Sequence, residues 1–597
     1  MHFMKLKAII ILSIFSLQSF YGQTVNTTLN SNVRDITELD IGFNRRSDKG
    51  NWWTDASFKN LVSEMNPDVV RYPAGTQANY WDWRTGRFLE NVEKPWYEKE
   101  ILKIPGFIAV LPNKTKAVYV INMARPTPAT GVDVNASEKV LKSDATLLLK
   151  INDYLEAIKE FNDQGKLPFA VEFGNEFYFG NDHSGIYQII ENNGKFYSGW
   201  DTNNDRPFES VSKADATEVI AAFYLKHCKT IATAIKEKYP SIKIVITTTK
   251  EGYATRVAWN STIFNTLRNN SNYSEFKNNI YAVTQHHYLN DSYGIQTVIS
   301  DNSSAKTAIA EGIQYPIEKI SDYNLVSNDY KIWYTEFGEV KEIAEETWAS
   351  GVRYAALIYS FINLGDKVGQ LDWHFISDNN VVKVGDPYKL APVGIASKLV
   401  SKAFSGMDKM QKIQFTNNTT SVGNVKSLYG YKLKNSEKET LLIINTNSVD
   451  FSNVNFSTLF TYSGQPKMTQ YYSDAPYISN VYEGHSNIVS SATDVNNSVV
   501  IKKFSITVIE SKNTALSTDD YLVNSLELYP NPASTEVFIN TKNPINLISI
   551  YNTSGKLVDR IFNISNSKIN IENLNSGLYF FKVETTKNSV FRKLIKK

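Results

Sequence analysis

From about residue 37 to residue 405 the chain alternates short apolar runs with longer segments of helical period. Eight runs stand out: Leu39–Phe43, Val69–Tyr72, Ala117–Asn122, Phe169–Phe173, Ile242–Thr248, Tyr281–His286, Lys331–Tyr334 and Gln370–Trp373. Between them the spacing predicts helices at 145–164, 214–238, 305–322 and 344–364. A run that is apolar throughout suits a strand buried on both faces, and parallel neighbours need a crossover of a dozen or more residues. Eight such strands with crossover helices predict an α/β protein built on a (β/α)8 TIM barrel with insertions. A doubly wound open sheet is the competing arrangement. It places a glycine-rich phosphate turn after its first strand, and IGFNRRSDKG is a poor one.

The texture changes near residue 410. The segments SLYGYKLK, TLLIINTN, KMTQYYS and SVVIKKFSITVIES alternate with period two, so residues 411–512 are expected to form an antiparallel β-sandwich packed on the barrel. A polar stretch reads as a linker over 513–523, and residues 524–597 are again all β, punctuated by the turn signals YPNP, TSG and NSG. At the N-terminus, Lys5 and Lys7 precede the apolar stretch Ala8–Phe20. That is too short to span a bilayer and has the length of a secretory signal. Residues 1–22 are therefore assigned to a signal peptide and 23–410 to the barrel.

The 597 residues are too many for one core. With 63 basic against 61 acidic side chains the net charge is +2, which gives no field for nucleic acid. No later segment approaches 18 unbroken apolar residues, so no transmembrane segment is expected in the mature chain. Cys228 is the only cysteine and excludes an intramolecular disulfide. Aromatics make up 13%, which suits sugar-stacking surfaces and ordinary cores equally. The Tyr80-Trp81-Asp82-Trp83 run either floors a subsite or packs an insertion. The histidines show no HExxH spacing, and Asp201–Asp205 lacks the glycine and closing glutamate of a calcium loop. No metal and no cofactor are expected.

Chemistry concentrates in two stretches. VEFGNEFYFG at 171–180 carries Glu172 and Glu176, and KIWYTEFGEV at 331–340 carries Glu336 and Glu339. In a (β/α)8 barrel, working side chains sit where strands end. Glu176 follows the fourth expected strand and Glu336 the seventh, which face each other across the barrel mouth. Two carboxyl groups there can sit about 5–5.5 Å apart, the separation of a retaining glycosidase.

Gly174-Asn175-Glu176 and Thr335-Glu336-Phe337-Gly338, together with RYPAGT after strand two and His-His-Tyr after strand six, resemble the signatures of clan A retaining glycoside hydrolases. The layout is similar to the arabinofuranosidase, xylosidase and heparanase-like branches. Ala74 departs from their double-glycine pattern, so no single family follows. The resemblance implies Glu336 as nucleophile and Glu176 as acid/base. It also implies substrate contacts from Asn175, orientation of the nucleophile by Arg71, and donation to Glu336 by Tyr288 or His286. By strand alternation only one of His286 and His287 points inward. Trp373 and His374 would supply a stacking platform and a polar contact. Glu172 is expected as a structural carboxylate in the strand, and Glu339 as a supporting or solvated one.

Tyr529-Pro530-Asn531-Pro532, IYNTSGKLV and Asn575-Ser576-Gly577-Leu578-Tyr579 resemble the C-terminal sorting domain of the type IX secretion system of Bacteroidetes. That likeness implies export, then release or surface attachment, with the secretion machinery as a partner. The reading is a secreted retaining glycoside hydrolase of a polysaccharide or its oligosaccharides. A non-catalytic glycan-binding barrel and a transglycosylase are its alternatives.

Overall fold

The structure, a computed structural model, describes residues 24–597 apart from 45–51, 74, 89–101, 124–143, 180–188, 193–194, 199–212, 251–256, 290–298, 321–328, 339–345, 377–378, 386, 514–526, 541–544, 563–567 and 586–588. The signal peptide, Ala74, the Asp201–Asp205 loop, Glu339 and nearly all of the linker lie outside the described residues.

Eight strands close a barrel: β1 (Asp40–Asn44), β2 (Val69–Tyr72), β3 (Lys116–Ile121), β4 (Ala170–Phe173), β5 (Lys243–Thr247), β6 (Ile280–Tyr288), β7 (Lys331–Gly338) and β8 (Val368–Trp373). Every neighbouring pair is parallel, with β8 beside β1 and β4 beside β5. Each strand falls on an expected apolar run. β6 and β7 extend further toward the barrel mouth, and that extension carries polar residues the apolar pattern does not flag.

Inside the barrel the layers differ in chemistry. Val69, Val118, Ala170, Val245, Ala282 and Trp333 form a dry lower layer. One step up, Arg71, Glu172 and Asp372 are each fully buried. Burying such groups costs several kcal/mol each unless they are paired, so this layer points to a site directly above it.

The outer face is sealed by helices, of which Ala56–Met65 and Pro392–Phe404 lie outside the expected segments. Ala56–Met65 starts at Asp55, whose carboxylate accepts from the backbone N–H of Ser57 and Phe58, and ends at Asn66 in the left-handed region. Asn302–Lys319 opens with a capping box between Asp301 and Ser304. Trp348–Ile362 is apolar nearly all round, and every one of its residues is buried. That is how a helix looks when it is covered on both sides. A Cβ on Gly351 would lie 2.6 Å from the Pro392 carbonyl oxygen, so glycine is what admits the next helix, Pro392–Phe404.

The covering element is a curled sheet, antiparallel at all but one of its described pairings. It runs as one hydrogen-bonded path through Val489–Asp494, Lys467–Tyr472, Ser505–Lys512, Lys438–Asn445, Leu428–Lys434, Lys409–Phe415, Val25–Leu29, Phe451–Asn455 and Ser498–Ile501. The expected barrel segment began at residue 23, but Val25–Leu29 pairs antiparallel with Lys409–Phe415 and parallel with Phe451–Asn455. Its alternating burial is that of a half-exposed sheet strand, not of a barrel strand. Barrel and sheet share one core: Tyr431 donates to the Tyr359 carbonyl at 3.0 Å, and Trp348 Nε1 to that of Phe504 at 2.6 Å.

The C-terminal unit has its own core of Val537, Ile539, Ile548, Ile550, Ile569, Phe581, Val583 and Leu594 among others. It combines a three-stranded sheet with a four-stranded antiparallel one, ordered Leu557–Phe562, Ile545–Asn552, Gly577–Thr585, Ser589–Lys596. The Asn552 carboxamide oxygen accepts from the backbone N–H of Ser554 and Lys556, and Gly555 takes φ +76°, which closes the TSG turn as its composition requires.

Candidate active site

Arg71, near the end of β2, is the centre of the buried polar layer. Its Nε and Nη2 donate to the two oxygens of Glu172 at 2.6 and 2.8 Å, a forked pair. Nη1 donates to Glu336 Oε1 and to Asn44 Oδ1, both at 2.9 Å, and Nη2 also reaches Asn175 Oδ1 at 2.8 Å. One guanidinium thus ties together β1, β4, β7 and the loop after β4. Burial works against its charge, but Glu172 and Glu336 keep it protonated. Asp372 itself stands apart: burial pushes its carboxyl well above the usual range, and only the Gln370 amide bonds to it among the described residues.

Glu336 does not follow β7 but lies within it, at an irregularity. Gln285 pairs with Tyr334 and His286 with Glu336, so Thr335 is an extra residue relative to β6; on the other side the register also shifts between Tyr334 and Phe337. Such a bulge re-aims side chains. It lets consecutive residues serve the interior: Thr335 Oγ1 lies 3.1 Å from His286 Nε2 while Glu336 reaches Arg71. Period-two reasoning has no means of finding this.

Glu176, past β4, has φ +46°, a left-handed conformation that a residue with a long side chain rarely adopts. Its Oε1 lies 3.0 Å from His286 Nδ1 and accepts from the Tyr178 hydroxyl at 3.2 Å. The same His286 nitrogen is 3.4 Å from Glu336 Oε2. Tyr288, two residues on along the same strand face, donates to Glu336 Oε2. His287 points the other way, against Tyr334 and Phe361, so alternation separates the two histidines. His374 Nε2 stands 3.9 Å from Glu336 Oε2.

These neighbours set the charge on Glu336. Burial pushes its carboxyl up, but His286, Arg71, His374 and the Tyr288 hydroxyl together hold it at about 2. Burial pushes the His286 imidazole down, and Glu336 and Glu176 outweigh that to raise it above its ordinary value. Burial and Glu336 raise the Tyr288 hydroxyl well above its usual range, which keeps it a donor. Because Glu336 is depressed from 4.5 to about 2, its stabilising contribution is present above about pH 4.5 and is lost as the pH falls toward 2. The stability gap between the native chain and Glu336→Gln, read as urea midpoints, is therefore expected to narrow from pH 5 to pH 3. A gap independent of pH contradicts the depressed value.

The backbone also shapes the cleft. A Cβ on Gly75 would lie 2.2 Å from Glu336 Oε1 and 3.5 Å from Asn175 Oδ1, so the loop after β2 must pass the nucleophile candidate as glycine. Gly75→Ala is expected to keep the fold and lower turnover on the order of 10²-fold, since displacing a reacting group by about 1 Å costs that much. Circular dichroism alongside steady-state rates checks both halves. Sequence reasoning finds neither Gly75 nor Asn79, whose carboxamide bonds to the Asn175 backbone N–H and carbonyl; the RYPAGT run points to the segment but not to the contacts.

One expected contact is corrected. Trp373 is only 2% exposed. Its ring packs edge-on against Phe337 and Tyr354, and a Cβ on Gly338 would touch it. It points away from the interior and caps the core, because Asp372 and not Trp373 occupies the inward position of β8. The other expected residues, Arg71, Asn175, Glu176, His286, Tyr288, Glu336 and His374, do come together. Glu172 is buried inside β4. Trp81 is buried, and Trp83 Nε1 donates to Asp153 at 3.1 Å, so both pack the insertion. Among the described residues, Glu176, His286 and Glu336 form the group whose ligand atoms, all within 4.8 Å of one another, have metal-like spacing.

The barrel and curled sheet resemble solved glycoside hydrolases. The GH51 arabinofuranosidase from Xanthomonas axonopodis pv. citri aligns with a TM-score of 0.56 at 12% identity, covering 82% of this chain and 99% of that one. Another arabinofuranosidase aligns at 0.53 and 14% identity, with 82% and 100% covered. A 4-O-α-L-rhamnosyl-β-D-glucuronidase from Fusarium oxysporum 12S aligns at 0.51 and 10%, again with 82% and 100% covered. The fold is thus that of a glycosidase-like TIM barrel. No curated protein sequence matches the chain. Residues 527–597 match the secretion system C-terminal sorting domain. The chain carries that type IX signal and is exported, to the medium or the cell surface. No helix among the described residues is long and apolar enough to cross a membrane.

Proposed function

We propose that this exported chain is a retaining glycoside hydrolase, cleaving glycosidic bonds of a polysaccharide or its oligosaccharides by double displacement. One observation carries the reading: an oxygen of Glu176 and an oxygen of Glu336 lie within 4.8 Å of each other across the barrel mouth. That spacing suits a retaining pair at about 5–5.5 Å and is too close for the intervening water of an inverting enzyme, whose carboxyls stand about 6.5–9.5 Å apart.

Glu336, held ionised by Arg71, His286 and Tyr288, attacks the anomeric carbon and forms a glycosyl ester. Glu176 protonates the departing oxygen, then takes a proton from the water that cleaves the ester. Asn175 gives its carbonyl oxygen to Arg71, which orients the amide so that its nitrogen is the end left to meet a sugar hydroxyl. His374, beside Glu336, offers a further polar contact. The test is a panel of polysaccharides and aryl glycosides, including α-L-arabinofuranosides and β-D-glucuronides, with the exported chain and product sizing. Release of sugar with retained anomeric configuration is expected. Tight glycan binding without turnover on any member overturns the enzyme reading, and transfer to added sugar acceptors in preference to water makes the chain a transglycosylase.

A further inference from the structure

Glu176 projects from a left-handed backbone that nothing in its own side chain favours, so something else must hold it there. The nearest rigid support upstream is β5, where Thr247 Oγ1 donates to the Gly174 carbonyl at 2.8 Å. Residue 175 is gripped by a side chain instead. Asn79 Oδ1 accepts from the Asn175 backbone N–H at 3.1 Å, and Asn79 Nδ2 donates to the Asn175 carbonyl at 2.8 Å. Both ends of one carboxamide are spent on a single residue, as a neighbouring strand would spend its backbone. Asn79 is 6% exposed and sits in the short 3-10 turn Thr76–Tyr80, directly after Gly75.

We propose that Asn79 is a positioning residue for the acid/base, acting through the backbone of Asn175. The two bonds fix the peptide planes on either side of residue 175. The second of those planes is the one from which Glu176 turns at φ +46°, so it sets where the Glu176 carboxyl stands. With both planes fixed, the carboxyl meets His286 Nδ1 at 3.0 Å and faces Glu336. Without them, relaxation of residue 176 toward an ordinary backbone swings the carboxyl out of line with the leaving oxygen. The same loop presses Gly75 against Glu336, so one segment after β2 sets the place of both carboxylates. Asn79 touches neither reacting atom.

The inference rests on the glycosidase reading above, and its test separates the two. Asn79→Ala and the isosteric Asn79→Asp, which keeps the acceptor and loses the donor, are compared with the native chain on two aryl glycosides. One has a leaving group that departs without protonation, such as 2,4-dinitrophenolate, and one needs the acid. Loss of acid assistance is expected to lower kcat/KM about 10²-fold on the second and less than about threefold on the first. Equal losses on both, whatever their size, overturn the positioning role, since a merely structural defect does not sense the leaving group. A crystal structure of Asn79→Ala gives a second readout independent of activity. Glu176 displaced from His286 supports the clamp, and Glu176 unmoved overturns it. A native chain inactive on both glycosides, with Glu176 displaced in the variant, fails the glycosidase reading and leaves the backbone clamp standing.

Discussion

Glu336→Gly is expected to abolish hydrolysis of aryl glycosides, and added azide to restore turnover as a glycosyl azide of inverted configuration. The argument is geometric. Arg71, Tyr288 and His286 converge on this carboxylate, which lies at the cleft. Removing the side chain deletes the proposed nucleophile and leaves a space lined with donors, sized for a small anion. Azide placed there attacks the anomeric carbon from the same face that Glu336 would have used. It forms one bond where the native route forms and breaks one, so the configuration inverts once and stays inverted. Retained activity in the variant without azide excludes Glu336 as nucleophile. Nuclear magnetic resonance of the product distinguishes the azide from a hydrolysed sugar.

The second large effect is on stability as well as rate. Arg71→Met is expected to destabilise the barrel by about 3–5 kcal/mol, the usual consequence of removing one partner from a buried ion pair. Here the partners are two carboxylates, Glu172 and Glu336, which are 0% and 4% exposed. Glu336 then loses a cation that holds it ionised, so the acid limb of any residual activity should move to higher pH. Glu172→Gln alone leaves the guanidinium short of an anion. The double variant should therefore lose less than the sum of the two singles, because residues in one network do not contribute additively. Urea unfolding of the three variants measures this coupling. Strict additivity would mean that the forked pair of bonds contributes nothing as a unit.

How far the sequence leads depends on what each interaction asks of it. The barrel was legible because a parallel strand buried on both faces writes its burial as a run such as Val69-Val70 or Ile244-Val245-Ile246. Glu176 and Glu336 were legible because strand order brings their ends to one mouth, and Arg71 and Tyr288 because their motifs resemble those of clan A glycoside hydrolases. Three things were not. The Thr335 bulge leaves no mark in a period-two pattern. Trp373 looked like a platform because an aromatic at a strand end is polar-tipped and apolar at once, and which face it takes depends on a register that Asp372 decides. Asn79 acts on a backbone 96 residues away, and nothing local marks a side chain that imitates a strand. Val25–Leu29 belongs with these: a short alternating segment names no partner, and its own lie at Lys409–Phe415 and Phe451–Asn455.

That last pairing bears on when the fold can close. Asn26 bonds to Thr416 across 390 residues of chain, and Val25–Leu29 is sandwiched between segments made only after the barrel is complete. Such distant closure is slow, since the entropy of a long loop is lost before any contact repays it. Until those late segments arrive, the first strand is an open edge and the helix Trp348–Ile362 lacks its cover. The sheet is complete only once it has closed on its own first strand.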